Sequence, residues 1–274
     1  MQTINLMHPE NSDVKYELIQ FPDGEPHLKF ISEINHKEKF SVISRITNPI
    51  DLFILMQAGR ILNRHGVQFV IFIPYLMSMR MDRVISFQED YSLELVANLI
   101  NSLHAKQIFL FEPHSLRSVE LIKNSKIIPV TSHVLKEHLT EDSVICYPDV
   151  GAKGRYGLLP NPFVTFTKKR DPNTGRILSL EVEETNLEEK AKVPSIIVID
   201  DLCDGGGTFA LVANKLKELY PDAKLTIIVG HMVNPKGIET LHNNYNQVYF
   251  TNTYKDWKVD YENVKVINFI SKFL

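Results

Sequence analysis

The chain has 274 residues, of which 44% are hydrophobic and 23% charged, and its formal net charge at pH 7 is −3. These fractions are typical of a globular protein with a buried core, and the charge gives no reason to expect nonspecific nucleic-acid binding. The longest apolar run, residues 69–77, is too short for the roughly 20 residues of a membrane span. The N-terminus lacks the apolar core of a signal peptide, and the two cysteines lack C-x-x-C spacing. Composition therefore excludes membrane, secreted and disulfide-scaffold proteins and favours a cytoplasmic one.

Short apolar runs alternate along the chain with segments of helical length. The runs predicted to form buried strands are residues 40–46, 67–73, 107–111, 143–147, 195–200, 225–229 and 264–269. The predicted helices are residues 50–62, 92–103, 115–123, 209–219 and 236–242. Such alternation predicts βαβ units and a largely parallel sheet. One series ends and another begins near residues 127–131, so we expect two α/β domains, residues 1–128 and 129–274.

Residues 168–192 interrupt this alternation with a segment that is dense in charge. Asp-Pro-Asn and Thr-Gly sequences within it favour a turn, which predicts a mobile hairpin between two core strands. One interpretation is a solvated surface flap. The other, which we favour, is a cationic loop that closes over phosphates, because Lys168, Lys169 and Arg170 stand at its start.

The strongest functional signal lies in residues 196–209, where an aliphatic strand leads into two acids and then a glycine turn that opens a helix. Parallel sheets bind ligands at the carboxyl ends of their strands, and glycines before a helix let backbone N–H groups approach a phosphate. Asp200 and Asp201 would repel a phosphate unless they face sugar hydroxyls or a divalent cation. An Asp-capped structural turn explains neither the paired acids nor three glycines. The segment therefore predicts a ribose-phosphate site, whose residues are Asp200, Asp201, Asp204, Gly205, Gly206, Gly207 and Thr208.

This segment resembles the 5-phosphoribosyl 1-diphosphate (PRPP) motif shared by phosphoribosyltransferases and PRPP synthetases, the ribose-phosphate diphosphokinases. Further segments, in the family's order, resemble the synthetases in particular. They are F-P-D-G-E at 21–25, I-P-Y at 73–75 with R-M-D-R at 80–83, E-P-H at 112–114, P-D-V-G at 148–151 and K-K-R at 168–170.

The resemblance implies two phosphoribosyltransferase-like α/β domains, each a mostly parallel sheet flanked by helices. It implies transfer of the β,γ-diphosphoryl group of Mg-ATP to the anomeric hydroxyl of ribose 5-phosphate, which yields AMP and PRPP. It also implies at least a homodimer, because the family's ATP site spans two subunits. The implied ATP-binding residues are Phe21, Asp23, Glu25, Arg80, Asp82, Arg83 and His114. The implied Mg²⁺ residues are His114 and Asp149, and the implied catalytic cations are Lys168 and Arg170.

The phosphate loop departs from the family's D-T-G-G-T because Gly205 replaces the threonine. The change removes a hydroxyl donor and opens space, which suits an acceptor that continues past the 5-phosphate. The loop and the hairpin pattern at 168–177 resemble phage-type relatives, some of which use ADP-ribose to make ADP-ribose pyrophosphate for NAD⁺ resynthesis in the host cytoplasm. Ribose 5-phosphate and ADP-ribose are thus both candidate acceptors.

Two other functions use part of this pattern. A phosphoribosyltransferase would share the phosphate loop but would not need the segments at 21–25, 80–83 and 168–170. A non-catalytic partner subunit of the synthetase family would be expected to lose the acids or the cationic loop, and both are present.

Overall fold

The structure is a computed structural model that describes residues 1–157, 159–170, 177–188 and 192–273. Apart from residues 273–274, the chain divides into two compact units, Met1–Ile128 and Pro129–Lys272. Among the described helices, none is both long enough and apolar enough to cross a membrane.

The first unit contains a five-stranded parallel sheet in the order β1-β4-β5-β6-β7 and a separate antiparallel hairpin of β2 and β3. The first helix, α1, begins at a side-chain cap: the Asn48 side chain accepts hydrogen bonds from the Ile50 and Asp51 N–H groups. The strands are β1 Gln2–Asn5, β2 Tyr16–Gln20, β3 Pro26–Phe30, β4 Phe40–Ile43, β5 Phe69–Ile73, β6 Gln107–Phe111 and β7 Ser125–Ile128. The helices are α1 Pro49–Arg64, α2 Ser92–Asn101 and α3 Arg117–Leu121.

The second unit contains a seven-stranded sheet in the order β10-β9-β8-β11-β12-β13-β14, in which β10 alone among the described strands runs antiparallel to its neighbour. The core lies around β11, where Ile196, Val198 and Ile199 are fully buried. The strands are β8 Ser143–Tyr147, β9 Phe163–Arg170, β10 Ile177–Thr185, β11 Ser195–Cys203, β12 Lys224–Met232, β13 Gln247–Thr251 and β14 Val264–Ile267. The helices are α4 Val130–His138, α5 Val150–Tyr156, α6 Gly207–Leu219 and α7 Pro235–Asn244.

The predicted α/β fold class, with parallel sheets flanked by helices, is confirmed. Predicted strands 107–111 and 143–147 coincide with β6 and β8, whereas β11 runs three residues beyond the predicted 195–200 because its pairing with β12 continues to Cys203. The predicted helix 115–123 is limited to Arg117–Leu121, since Ile122 is extended and Asn124 has a positive φ. The predicted elements did not include β1, β2, β3, β7, β13, α4 and α5, nor the part of β9 before residue 168.

The hairpin predicted within residues 168–192 is formed by β9 and β10, with Arg170 opposite Ile177. Residues 171–176, where the sequence predicts the turn, lie outside the described residues, as do residues 189–191 of the same segment.

Candidate active site

The candidate site of the second unit lies at the carboxyl ends of β8 and β11. The two strands are parallel neighbours, with Val198 opposite Cys146, so Asp149 after β8 and the acids at the end of β11 emerge at the same edge of the sheet. This edge is where parallel α/β sheets bind their ligands.

The loop between β11 and α6 turns sharply at Gly206. Gly206 has φ 78°, and a Cβ there would lie 2.8 Å from the Thr240 Cβ, so both conformation and space favour glycine. No side-chain hydrogen bond among the described residues caps α6 at Gly206. The N–H groups and positive dipole end of this helix therefore suit an anion. At Gly205, by contrast, φ is not positive and an added Cβ would meet no described atom within 4 Å.

The start of α7 supports this loop from behind. Asn234 Nδ2 donates to Asp204 Oδ1 at 3.0 Å, and Thr240 Oγ1 donates to the Gly205 carbonyl oxygen at 3.0 Å. At Gly237 a Cβ would overlap the Asp204 carbonyl oxygen, so glycine allows α7 to approach. Sequence reasoning missed these supporting residues, which no motif marks. It assigned Asp204 to the ribose-phosphate site, and the structure gives its carboxylate a contact that holds the loop.

The paired acids are held by a cation that sequence reasoning also missed. Arg155 Nη1 lies 3.1 Å from Asp200 Oδ1 and 2.7 Å from Asp201 Oδ1, and the Asp201 side chain is only 2% exposed. Burial raises the pKa of Asp200 well above its usual range and the Asp201 carboxylate raises it further, whereas Arg155 lowers it. Burial by itself would lower the pKa of Arg155, but the two acids raise it, so the guanidinium stays charged.

A second ion pair lies between β9 and α5. Lys168 Nζ is 2.7 Å from Asp149 Oδ2, while Asp149 Oδ1 accepts from the Ala152 N–H at the start of α5. Burial alone would raise the pKa of Asp149, but the hydrogen bonds from Lys168 and Ala152 and the charges of Lys168 and Arg155 lower it below its usual value. The side chain of Arg170 lies outside the described part of the chain.

In the first unit, the segment 21–25 forms the turn between β2 and β3. The Phe21 N–H donates to the Glu25 carbonyl oxygen, the Glu25 N–H donates to Asp23 Oδ1, and Gly24 has φ 91°. The turn leaves the Phe21 side chain 43% exposed, and its ring lies 5.9 Å from that of His27.

The other predicted ATP residues follow neighbouring parallel strands of the first unit. Arg80, Asp82 and Arg83 lie in the loop after β5, and His114 lies just after β6. Both segments therefore leave the sheet at one edge. Across the described residues, no three His, Cys, Asp or Glu side chains are grouped so that they could hold a metal ion by themselves.

Comparison with known proteins gives consistent relatives along most of the chain. No protein-family model matches it. The chain is 25% identical to the ribose-phosphate pyrophosphokinase of Pyrococcus abyssi over 271 residues, which cover 94% of this chain and 90% of the relative. It is 27% identical to the enzyme of that name from Saccharolobus solfataricus over 206 residues, 71% of this chain and 69% of the relative.

Among solved structures, the phosphoribosylpyrophosphate synthetase of Mycobacterium smegmatis matches with a TM-score of 0.74 and 18% identity. The match covers 97% of this chain and 94% of that one, so the two share a fold along nearly their whole lengths.

Proposed function

We propose that this chain is a PRPP synthetase, which transfers the β,γ-diphosphoryl group of ATP to the anomeric hydroxyl of ribose 5-phosphate and releases AMP and PRPP. Its similarity to ribose-phosphate pyrophosphokinases along most of its length supports the proposal. One observation carries the proposal: the glycine loop, the Arg155-bound acids and the Lys168–Asp149 pair all belong to β8, β9 and β11 or directly follow them. The glycine loop and acids proposed to bind the sugar phosphate thus lie on the same sheet as Lys168, the cation proposed to bind the transferred phosphates.

The acceptor would bind at the carboxyl end of β11. The N–H groups of the loop 204–208 and the start of α6 would receive the 5-phosphate. Asp200 and Asp201 would accept hydrogen bonds from ribose hydroxyls, which explains why two acids stand next to a phosphate site. The Arg155 guanidinium offsets their charge and reduces their repulsion of the phosphate.

Lys168 and Arg170 would act on the transferred group. Phosphoryl and diphosphoryl transfer depend on in-line positioning and on cations at the developing charge rather than on a protein nucleophile. Lys168 is 15% exposed and already paired with a carboxylate, so phosphate oxygens would replace Asp149 as its partner during the reaction.

ATP would bind residues of the first unit, and at least a dimer would complete its site, as the family resemblance implies. The exposed ring of Phe21 supports this, since an aromatic face held outward by a tight turn suits a nucleobase. The proposed ATP residues are Phe21, Asp23, Glu25, Arg80, Asp82, Arg83 and His114.

The proposed Mg²⁺ residues suit an ion that is also bound by the phosphates of ATP. Mg²⁺ in such sites keeps several waters and binds substrate phosphates with one or two protein carboxylates, so a grouped protein cage is not required. In the second unit, Asp149, whose lowered pKa keeps it ionised, would supply a carboxylate oxygen. His114, in the first unit, is the other Mg²⁺ residue that the family resemblance implies. When bound, Mg²⁺ neutralises charge on the phosphates.

One observation favours a second acceptor, ADP-ribose, in the same reaction. Since a Cβ at Gly205 would meet no described atom within 4 Å, there is room beside the loop for a chain that continues past the 5-phosphate. A wider exit of this kind would admit ADP-ribose and yield ADP-ribose pyrophosphate.

The test is to incubate the protein with Mg-ATP and either ribose 5-phosphate or ADP-ribose and to separate the nucleotide products. We expect AMP with at least one acceptor. Release of ADP, or no acceptor-dependent AMP in either mixture, would contradict the proposal, and the acceptor that yields AMP faster decides between the two substrates.

A further inference from the structure

Arg155 bridges two acids that strand geometry would normally separate. Side chains of successive strand residues point to opposite faces, yet the Oδ1 atoms of Asp200 and Asp201 both lie within 3.1 Å of the same Arg155 nitrogen. The backbone N–H of Asp201 also donates to Asp200 Oδ1 at 2.9 Å. The two carboxyl groups are thus drawn together around one guanidinium.

The position of Arg155 is itself set by the fold. It lies in the last turn of α5, whose first turn is capped by Asp149, and α5 contacts β8, β9 and β11. The Tyr156 ring lies 5.7 Å from the guanidinium carbon, and the Arg155 side chain is only 21% exposed. Lys153, on the same helix, pairs instead with Glu184 and lies 4.3 Å from the Phe163 ring centroid.

We propose that Arg155 is a positioning residue for the sugar acceptor: it holds Asp200 and Asp201 in the arrangement that binds the ribose hydroxyls. The proposal rests on the function proposed above. Two neighbouring carboxylates repel each other, and a buried pair without its cation would move apart or towards solvent. The hydroxyl acceptors would then be misplaced before any chemistry takes place.

This role predicts a specific kinetic pattern. Loss of Arg155 should weaken acceptor binding and leave ATP binding and turnover at saturating acceptor much less affected, because the guanidinium acts through the acids. A lysine at position 155 should retain part of the acceptor affinity, since it supplies the positive charge but not the planar set of N–H donors of a guanidinium.

The test compares Arg155→Met and Arg155→Lys with Lys153→Met, which removes a cation from the same helix but not from the acid pair. We expect the acceptor KM of Arg155→Met to rise about tenfold or more, with a smaller rise for Arg155→Lys and a wild-type value for Lys153→Met. Thermal unfolding of each variant reports whether it is folded. If Arg155→Met does not fold, the test is whether the acceptor KM of Arg155→Lys is higher than that of Lys153→Met.

Two results would overturn the proposal. One is a wild-type acceptor KM in the folded Arg155 variants. The other is a loss confined to kcat, which would mean that Arg155 acts on the transferred group. Calorimetric titration with ribose 5-phosphate alone distinguishes failure of the Arg155 role from failure of the proposed reaction. If the wild type is inactive but binds the sugar more tightly than Arg155→Met does, only the proposed reaction is refuted. Equal sugar affinity, or none in either protein, refutes the role of Arg155.

Discussion

Lys168 Nζ lies 2.7 Å from Asp149 Oδ2, so the cation proposed for the transferred phosphates is paired with the carboxylate proposed for the metal. The pair joins β9 to the first turn of α5. In the proposed reaction, phosphate oxygens would replace Asp149 as the partner of Lys168, and Mg²⁺ would replace Lys168 as the partner of Asp149. One ion pair would thus give way to two, and neither charge would be left unpaired.

Lys168→Ala should lower kcat by on the order of 10²-fold or more, with a much smaller change in either KM, because its contacts strengthen as charge develops in the transition state. Steady-state AMP release at saturating substrates measures this. Lys215→Ala is the matched control, since Lys215 pairs with Glu218 on the surface of α6. Near-wild-type turnover of Lys168→Ala would contradict this role and support the alternative interpretation of the hairpin as a solvated surface flap.

Asp149→Asn should remove a pH-dependent part of the stability while keeping the helix cap, because Asn and Asp cap helices about equally well. The pKa of Asp149 is lowered in the folded protein, so its contribution is present above the unfolded-state pKa of about 4 and is lost as pH falls through the lowered value. The side chain is 38% exposed, so the effect should stay below about 1 kcal/mol.

Urea denaturation of Asp149→Asn and wild type between about pH 3 and pH 7 tests this. The free-energy difference between the two proteins should shrink at the acidic end. A difference that grows as the pH falls would contradict the assigned direction of the pKa shift.

Asp200→Asn and Asp201→Asn should each raise the acceptor KM by about tenfold or more, since each removes a carboxyl oxygen proposed to accept from a ribose hydroxyl. The structure also separates their effects on stability. The Asp201 side chain is 2% exposed and that of Asp200 is 16%, so Asp201→Asn should lower the melting temperature more. Unchanged acceptor KM in both folded variants would mean that the acids do not hold the sugar.

Gly205→Thr should shift acceptor preference towards ribose 5-phosphate by about tenfold or more, since it adds a hydroxyl donor and narrows the exit beside the phosphate. The backbone allows the change, because Gly205 has no positive φ and a Cβ would meet open space. The ratio of kcat/KM for ribose 5-phosphate and ADP-ribose is the measurement. An unchanged ratio, with a wild type inert towards ADP-ribose, would remove the reason for the second acceptor.

Gly206→Ala and Gly205→Ala form a matched pair that tests the loop conformation. Alanine at 206 must adopt φ near 78° and meets Thr240, so it should destabilise the protein by at least about 1 kcal/mol and weaken phosphate binding. Alanine at 205 meets neither obstacle and should unfold like wild type. Equal melting temperatures for the two variants would contradict the loop geometry.

Much of the β11 region could be predicted from sequence because its signals are local. The aliphatic run 196–199, the acids after it and the glycines before α6 follow one another along the chain, and each depends on burial, strand length or turn chemistry of near neighbours. The four-residue strands β1 and β7 carry too few residues for a periodic pattern, so only sheet pairing reveals them.

The sequence by itself determined the α/β class, the order of the main strands and helices, and the position of the glycine loop proposed to bind phosphate, because hydrophobic period and glycine turns act over a few residues. Only the tertiary structure decided which charges meet. Arg155 reaches the acids because β8 lies beside β11, and Asn234 and Thr240 reach the loop because β12 lies on its other side. Such contacts depend on strand order, which places residues distant in the chain within hydrogen-bond reach and which no local pattern specifies.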